Sequence, residues 1–265
     1  MPINFHYAMQ VCDTASYQNN KRYCGDDRTL LSKKSLRSFL TAVEQAAVYN
    51  TTTLHTICIF TDTISDELME YLKHYKSALN NVKIQIEHNK NLGIAKSIET
   101  CYRWLDQEGI DFVFQIQDDY IFRPYALTDM MNTWYRIYNE NPGTHAIIKP
   151  YNDPHNWLGV YRNKQTPRTI FFGDHSYYIQ IYDLSCSFLW LREEFTKHWD
   201  LYNKFFDLTR IKSKELESAS LNKMLVNRGI LGVSPIISLA LHVQSETEKD
   251  PYIDWQTWWD SIIVD

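Results

Sequence analysis

The chain has 265 residues, 44% of them hydrophobic, with 27 basic and 32 acidic side chains and a net charge of -5. That apolar share is enough for a full core and excludes a globally disordered chain. The mildly acidic balance argues against a surface devoted to nucleic acid, although a local basic groove stays possible.

Phe5 to Cys12 reads as a strand that runs into a polar loop, Asp13 to Thr29. Leu36, Leu40, Val43 and Ala47 then recur at helical spacing. His55 to Thr61 is a short β-branched strand, followed by a turn whose Ser65 can cap a helix bearing Leu68, Leu72, Tyr75 and Leu79. Val82, Ile84 and Ile86 alternate with polar residues as the next strand. The turn Asn89 to Gly93 leads to a helix marked by Ile98, Cys101 and Leu105. Asp111 to Gln117 is a further strand, and Pro124 opens a helix carrying Leu127, Met131, Trp134 and Tyr138. This alternation predicts an α/β fold: a mostly parallel, doubly wound sheet with helices on both faces.

Beyond residue 145 the pattern loosens. His145 to Lys149, Arg168 to Phe172 and Tyr177 to Tyr182 read as strands, and Arg192 to Phe206 and Leu216 to Arg228 as helices. The expectation is one domain, 1–265, with a nucleotide-binding half (1–145) and a smaller, mixed β/α acceptor-shaping half (146–265) on one continuous core.

The longest apolar stretch, Gly229 to Val243, is broken by Ser234, Pro235 and Ser238, so no transmembrane segment is expected. No basic segment followed by an apolar run opens the chain, and no signal peptide is expected. The five cysteines are odd in number and scattered, with no CxxC pair, which fits reduced thiols and a cytoplasmic setting.

Chemistry concentrates where Phe112 to Gln117 ends in Asp118 and Asp119. Open α/β sheets bind ligands at the carboxyl ends of their strands, and two carboxylates there suit Mg²⁺ or Mn²⁺ with substrate phosphates completing the shell. The same pair reads equally as turn residues capping the next helix. In the segment Asn89 to Ser97, Gly93 allows close backbone approach, and a helix start flanked by Lys90 and Lys96 favours an anion. Thr61, Asp62 and Thr63 close the second strand, with Ser65 and Asp66 explained by helix capping alone.

These segments, in this order over residues 5 to 243, resemble the GT-A glycosyltransferases. Gln117-Asp118-Asp119 matches that family's EDD form of the DxD motif at its last two positions and departs at Gln117. The resemblance implies a Rossmann-like GT-A fold and a nucleotide-diphosphate-sugar donor held through Mn²⁺ or Mg²⁺. Asp119 would be the direct metal ligand, with Asp118 and Gln117 close to the metal, sugar or ribose. Asn91, Gly93 and Lys96 fall in the family's N-x-G segment. Asp62 would read the base, with Thr14 on the opposite wall of that pocket. Ser234 to His242 is similar to a late family segment whose histidine completes the metal shell, which implicates His242. Glu217 would be the general base of an inverting transfer, with Glu215 in reserve, although first-turn glutamates also suit the helix dipole. Asp174, in the loop Gly173-Asp174-His175, is a candidate contact to the donor sugar or acceptor.

The implied activity is transfer of a sugar to a hydroxyl acceptor, a glycan or lipid-linked sugar. A hydroxymethylated pyrimidine in DNA is the less favoured acceptor, since it would require an extruded base and phosphate contacts. A non-catalytic carbohydrate-binding module using the tyrosine- and tryptophan-rich surface is the alternative of another class.

Overall fold

The computed structural model describes residues 2–14, 27–90, 92–152, 168–184, 187–211, 221–243, 250 and 252–264. Four strands carry the first half: β1 (Asn4–Val11), β2 (Leu54–Asp62), β3 (Val82–Asn89) and β4 (Phe112–Gln117). They alternate with α1 (Arg28–Tyr49), α2 (Asp66–His74) and α3 (Ile94–Glu108). After β4 come β5 (Tyr120–Phe122), α4 (Ala126–Glu140), β6 (Ile147–Ile148), β7 (Ile170–Phe172), β8 (Tyr177–Ile181) and β9 (Phe188–Leu191). The helices α5 (Arg192–Lys197), α6 (Trp199–Ile211) and α7 (Asn222–Asn227) follow, then β10 (Gly232–Pro235), β11 (Ala240–His242) and α8 (Trp255–Ser261).

Among the described residues nine strands form one sheet in the order β3-β2-β1-β4-β9-β6-β10-β8-β7, and β5 pairs β11 separately. β3, β2, β1 and β4 are mutually parallel. β9 is antiparallel to both β4 and β6, and β8 is antiparallel to β10 and β7, so these two run against the rest. The sheet passes without a break from the first half of the chain into the second. The chain steps from β1 outward to β2 and β3, then returns to the other side of β1 for β4. In open α/β sheets such a reversal marks the ligand-binding crevice, here at the carboxyl ends of β1 and β4.

The helices form where apolar stripes meet good caps. Asp27 accepts from the Leu30 amide at the start of α1, and Ser65 from the Leu68 amide at the start of α2. The α1 stripe Leu36, Leu40, Val43 and Ala47 is buried, each large side chain contributing about 1.5–3 kcal/mol of transfer free energy. α1, α2 and α4 cover one face of the sheet, and α3, α5, α6 and α7 the other. Cys58 and Cys101 are buried between the sheet and α3, which pushes the Cys58 thiol up to about 12 and raises Cys101 as well.

Several boundaries differ from expectation. The second helix ends at His74, leaving Tyr75 buried just beyond it and Leu79 outside. The predicted helix Arg192 to Phe206 is two helices, with His198 between them. β5, β9, β10, β11 and α8 were not anticipated. Glu215 and Glu217 lie outside the described residues, as does Asn91. Among the described residues no helix is long and apolar enough to cross a membrane.

Candidate functional site

The crevice between β1 and β4 is tied together by carboxylates that the strand ends deliver to it. Asp118 is 7% exposed. Its Oδ2 accepts the Cys12 amide at 2.9 Å and the Ser32 hydroxyl at 2.7 Å, and its Oδ1 lies 3.7 Å from the Arg28 guanidinium. Arg28 in turn donates to the Cys12 carbonyl at 2.8 Å. One side chain thus joins the β1 exit, the first turns of α1 and the end of β4. Burial raises the Asp118 carboxyl above the ordinary carboxylate range; Arg28 pulls it back and the neighbouring Asp119 pushes it further up. Asp13 serves the next junction, accepting the Ser65 amide at 2.8 Å and the Thr29 hydroxyl at 2.7 Å.

Asp62, at the end of β2, is likewise turned inward. Its two oxygens accept the Leu92 amide at 3.1 Å and the Gly93 amide at 2.9 Å, which fixes the turn entering α3. Gly93 has φ 72°, a conformation that favours glycine, and a Cβ placed there would meet nothing within 4 Å. The start of α3 has no side-chain cap of its own, and the Asp62 carboxylate takes the two amides of the turn that enters it. Lys96 is exposed on its first turn. Opposite, the Thr14 hydroxyl donates to the Thr63 carbonyl, and Thr63 holds φ 44°, unusual for a β-branched residue. Gln117 is half-buried at the same strand end.

The second feature is a carboxylate facing an imidazole. Asp119 follows β4 and His242 closes β11, two segments far apart in the chain. β5 and β11 pair antiparallel with Tyr120 opposite His242, and the Val243 amide donates to the Asp119 carbonyl at 2.8 Å. This register brings His242 Nε2 to 3.4 Å from Asp119 Oδ2, with both residues under 10% exposed. The imidazole is fixed by stacking on Tyr120, centroids 4.4 Å apart at 8°, and by the edge of Tyr151 at 5.6 Å.

The pair suits a divalent cation in kind: one hard oxygen and one imidazole nitrogen, at a separation near the ~3 Å between adjacent positions of an octahedral ion with ~2.1 Å bonds. Among the described residues no group of three or more His, Cys, Asp or Glu is arranged to hold a metal.

Of the residues singled out from the sequence, Thr14, Asp62, Gly93, Lys96, Gln117, Asp118, Asp119 and His242 all lie on elements at the carboxyl ends of β1, β2, β3, β4 and β11. Asp174 is not among them. It sits in the β7–β8 turn, bonded to Asn132 and 3.4 Å from Arg136, at the far edge of the sheet. β7 is five strand spacings from β4, roughly 24 Å at ~4.8 Å each.

Sequence reasoning missed Arg28 and the wall formed by Tyr120, Tyr151, Lys149 and Asp183. Lys149, just past β6, has a fully buried side chain 3.6 Å from Asp183 and 5.0 Å from the centre of the Tyr151 ring. Asn222, at the start of α7, donates to Asp183 at 2.6 Å. The usable signal was Lys149 at the end of a predicted apolar strand, a position where a charge needs a reason.

No protein-family model matches the sequence, and neither does any curated protein sequence. Among solved structures, the chain is similar to a nucleoside-diphosphate-sugar pyrophosphorylase from Vibrio cholerae RC9, at 14% identity and TM-score 0.46, over 97% of this chain and 100% of that one. It is also similar to the galactosyltransferase LgtC, solved in complex with donor and acceptor sugar analogues, at 8% identity and TM-score 0.43, over 86% of this chain and 72% of that one.

Proposed function

We propose that this protein is a metal-dependent glycosyltransferase of the GT-A type, passing a sugar from a nucleotide diphosphate to a hydroxyl acceptor, either a glycan or a lipid-linked sugar. The observation that carries the reading is the 3.4 Å approach of Asp119 to His242 beside the β1–β4 crevice. A Mn²⁺ or Mg²⁺ ion bound by this pair would neutralise charge on the departing nucleoside diphosphate.

The chain's own groups supply the rest. Asp118 and Arg28 hold the floor of the crevice in one conformation. Asp62 acts on the nucleotide pocket through the turn it fixes at Gly93, with Lys96 on the first turn of α3 to meet the ligand's negative charge. Thr14 and the Thr63 turn form the opposite wall of the base pocket, and Gln117 contacts the ribose or sugar. Glu217, with Glu215 in reserve, is the proposed base that takes the acceptor hydroxyl proton in an inverting transfer.

The test is a thermal-shift panel of nucleoside diphosphates and their sugars with and without Mn²⁺. The reading expects one of them to raise the melting temperature only when the metal is present. Stabilisation by free oligosaccharides, with no response to any nucleotide or metal, would instead mark a carbohydrate-binding module.

A further inference from the structure

The Asp119–His242 pair sits on a miniature sheet of three residues per strand, β5 and β11. A two-stranded sheet of this length is not stable in isolation. Its period-2 alternation shows what holds it. Tyr120 and His242 face the Asp119 side, while Ile121, Leu241 and Val243 point the other way and are each at most 2% exposed. Their cover is α8: Trp255 and Trp259 pack with these three residues and with Leu31 of α1 in a small core of their own.

α8 is in turn too short to persist alone, at seven residues. It is tied down at both ends. The Asp250 carboxylate, just ahead of it, accepts the Ser238 amide of the strand connection at 2.8 Å. At its far end the buried Lys34 ammonium of α1 donates to the Trp259 carbonyl at 2.6 Å and the Ile262 carbonyl at 2.9 Å, beneath the Trp259 ring. A cation on the last carbonyls of a helix satisfies acceptors that have no partner within it and complements its dipole.

We propose that the segment 252–262, latched by Lys34, is a clasp that sets the register of β5 against β11 and so positions Asp119 and His242 for the metal. Lys34 is a positioning residue: it touches neither member of the pair and acts through α8. The inference rests on the functional reading given above as far as the metal is concerned, while the clasp itself is open to a ligand-free measurement.

The experiment compares wild type, Lys34→Met and Lys34→Arg with Tyr7→Phe, a control that deletes a buried hydrogen bond at the other end of the sheet. Amide hydrogen exchange is read at Val243, whose bond to Asp119 closes the miniature sheet, and at Ile57 in β2. Mn²⁺ binding is read by electron paramagnetic resonance with UDP present. Lys34→Met is expected to speed exchange at Val243 at least tenfold with Ile57 unchanged, and to weaken Mn²⁺ binding at least tenfold. Lys34→Arg should restore both, and Tyr7→Phe should leave both as in wild type. Unchanged exchange at Val243 in Lys34→Met overturns the clasp. Faster exchange with undiminished Mn²⁺ binding overturns the positioning role. Should wild type take up no Mn²⁺ with UDP, the metal reading fails separately, and exchange at Val243 alone sustains or overturns the clasp.

Discussion

The two ends of the central sheet bury polar groups in opposite ways. At the amino end, His55 opens β2 between the Tyr7 hydroxyl and the Thr53 hydroxyl, each at 2.8 Å from a ring nitrogen, with Phe5 and Tyr7 stacked alongside. Every partner is neutral, and burial holds the imidazole down to about 4. At the carboxyl end, Asp13, Asp62, Asp118, Asp119 and His242 are all under 10% exposed, with Asp119 pushing the Asp118 carboxyl up. Neutral, saturated groups lower the free energy of the fold. Like charges held close raise it and persist only where surrounding structure compels them. The contrast sets the carboxyl end apart, and within that end it separates acids that build the backbone turns from an acid that faces a side chain. Asp118 and Asp62 accept backbone amides; Asp119 faces an imidazole.

That division is broken most forcefully at Asp118. Asp118→Ala removes the acceptor for the Cys12 amide and the Ser32 hydroxyl and the counter-charge of Arg28. Leaving buried donors and a cation without that acid costs about 3–5 kcal/mol, so the unliganded melting temperature should fall by roughly 10 °C in calorimetry. A change below about 1 kcal/mol would remove Asp118 from the acids that build.

The amino end gives the next largest effect, through pH. The folded pKa of His55 is lowered, so between about 6.5 and 4 the unfolded chain binds the extra proton. Stability from this group is complete above pH 6.5 and declines as pH falls toward 4, by about 3 kcal/mol in total at 1.36 kcal/mol per pKa unit. His6 and His198 are lowered by burial too and act with the same sign. Denaturant melts of wild type and His55→Gln across this window isolate its share: the variant should start less stable at pH 7.5 and lose distinctly less on acidification. Parallel slopes would show that His55 is protonated as readily folded as unfolded.

Asp62→Asn is milder. The amide keeps one acceptor oxygen and loses the second, so one of the Leu92 and Gly93 amides loses its bond, at about 1–2 kcal/mol. Exchange at the Leu92 or the Gly93 amide should accelerate while that at β2 holds. No change at either amide would return Asp62 to the role of a base-reading acid.

How far this was legible from the sequence follows the range of the contacts involved. β1 to β4 and their helices were readable because each crossover is local and each helix carries its own stripe, as Leu36, Leu40, Val43 and Ala47 do. β9 was not, since the four residues Phe188-Leu189-Trp190-Leu191 are apolar throughout and show no period. β5 hides between the Asp119 turn and Pro124, and its pairing with β11 is a long-range fact. α8 did leave a signal, the Asp254 cap and the Trp255–Trp259 spacing, which gained meaning only once the surface it covers was known. At the site, residue types named Asp62, Asp118 and Asp119 alike. Which way each carboxylate turns depends on strand register, which no local pattern encodes.

The smallest effect on the bare fold is expected at Asp119, and it carries the most information about function. Asp119→Ala removes one charge that faces His242 and also relieves the repulsion Asp119 exerts on Asp118, so the two consequences offset. The unliganded variant should therefore melt closer to wild type than Asp118→Ala does. The liganded proteins should differ sharply. On the proposed function, a nucleotide and Mn²⁺ at about 100 times Kd would stabilise wild type by about 2.7 kcal/mol, and the variant should lose essentially all of that shift. Running Asp118→Ala beside it completes the logic: a variant that melts early yet still responds to metal and nucleotide marks an acid that builds, and one that melts normally yet does not respond marks the acid that binds. If Asp119→Ala responded as wild type does, the carboxylate–imidazole pair would be a structural contact and the crevice would need another anchor for its ligand.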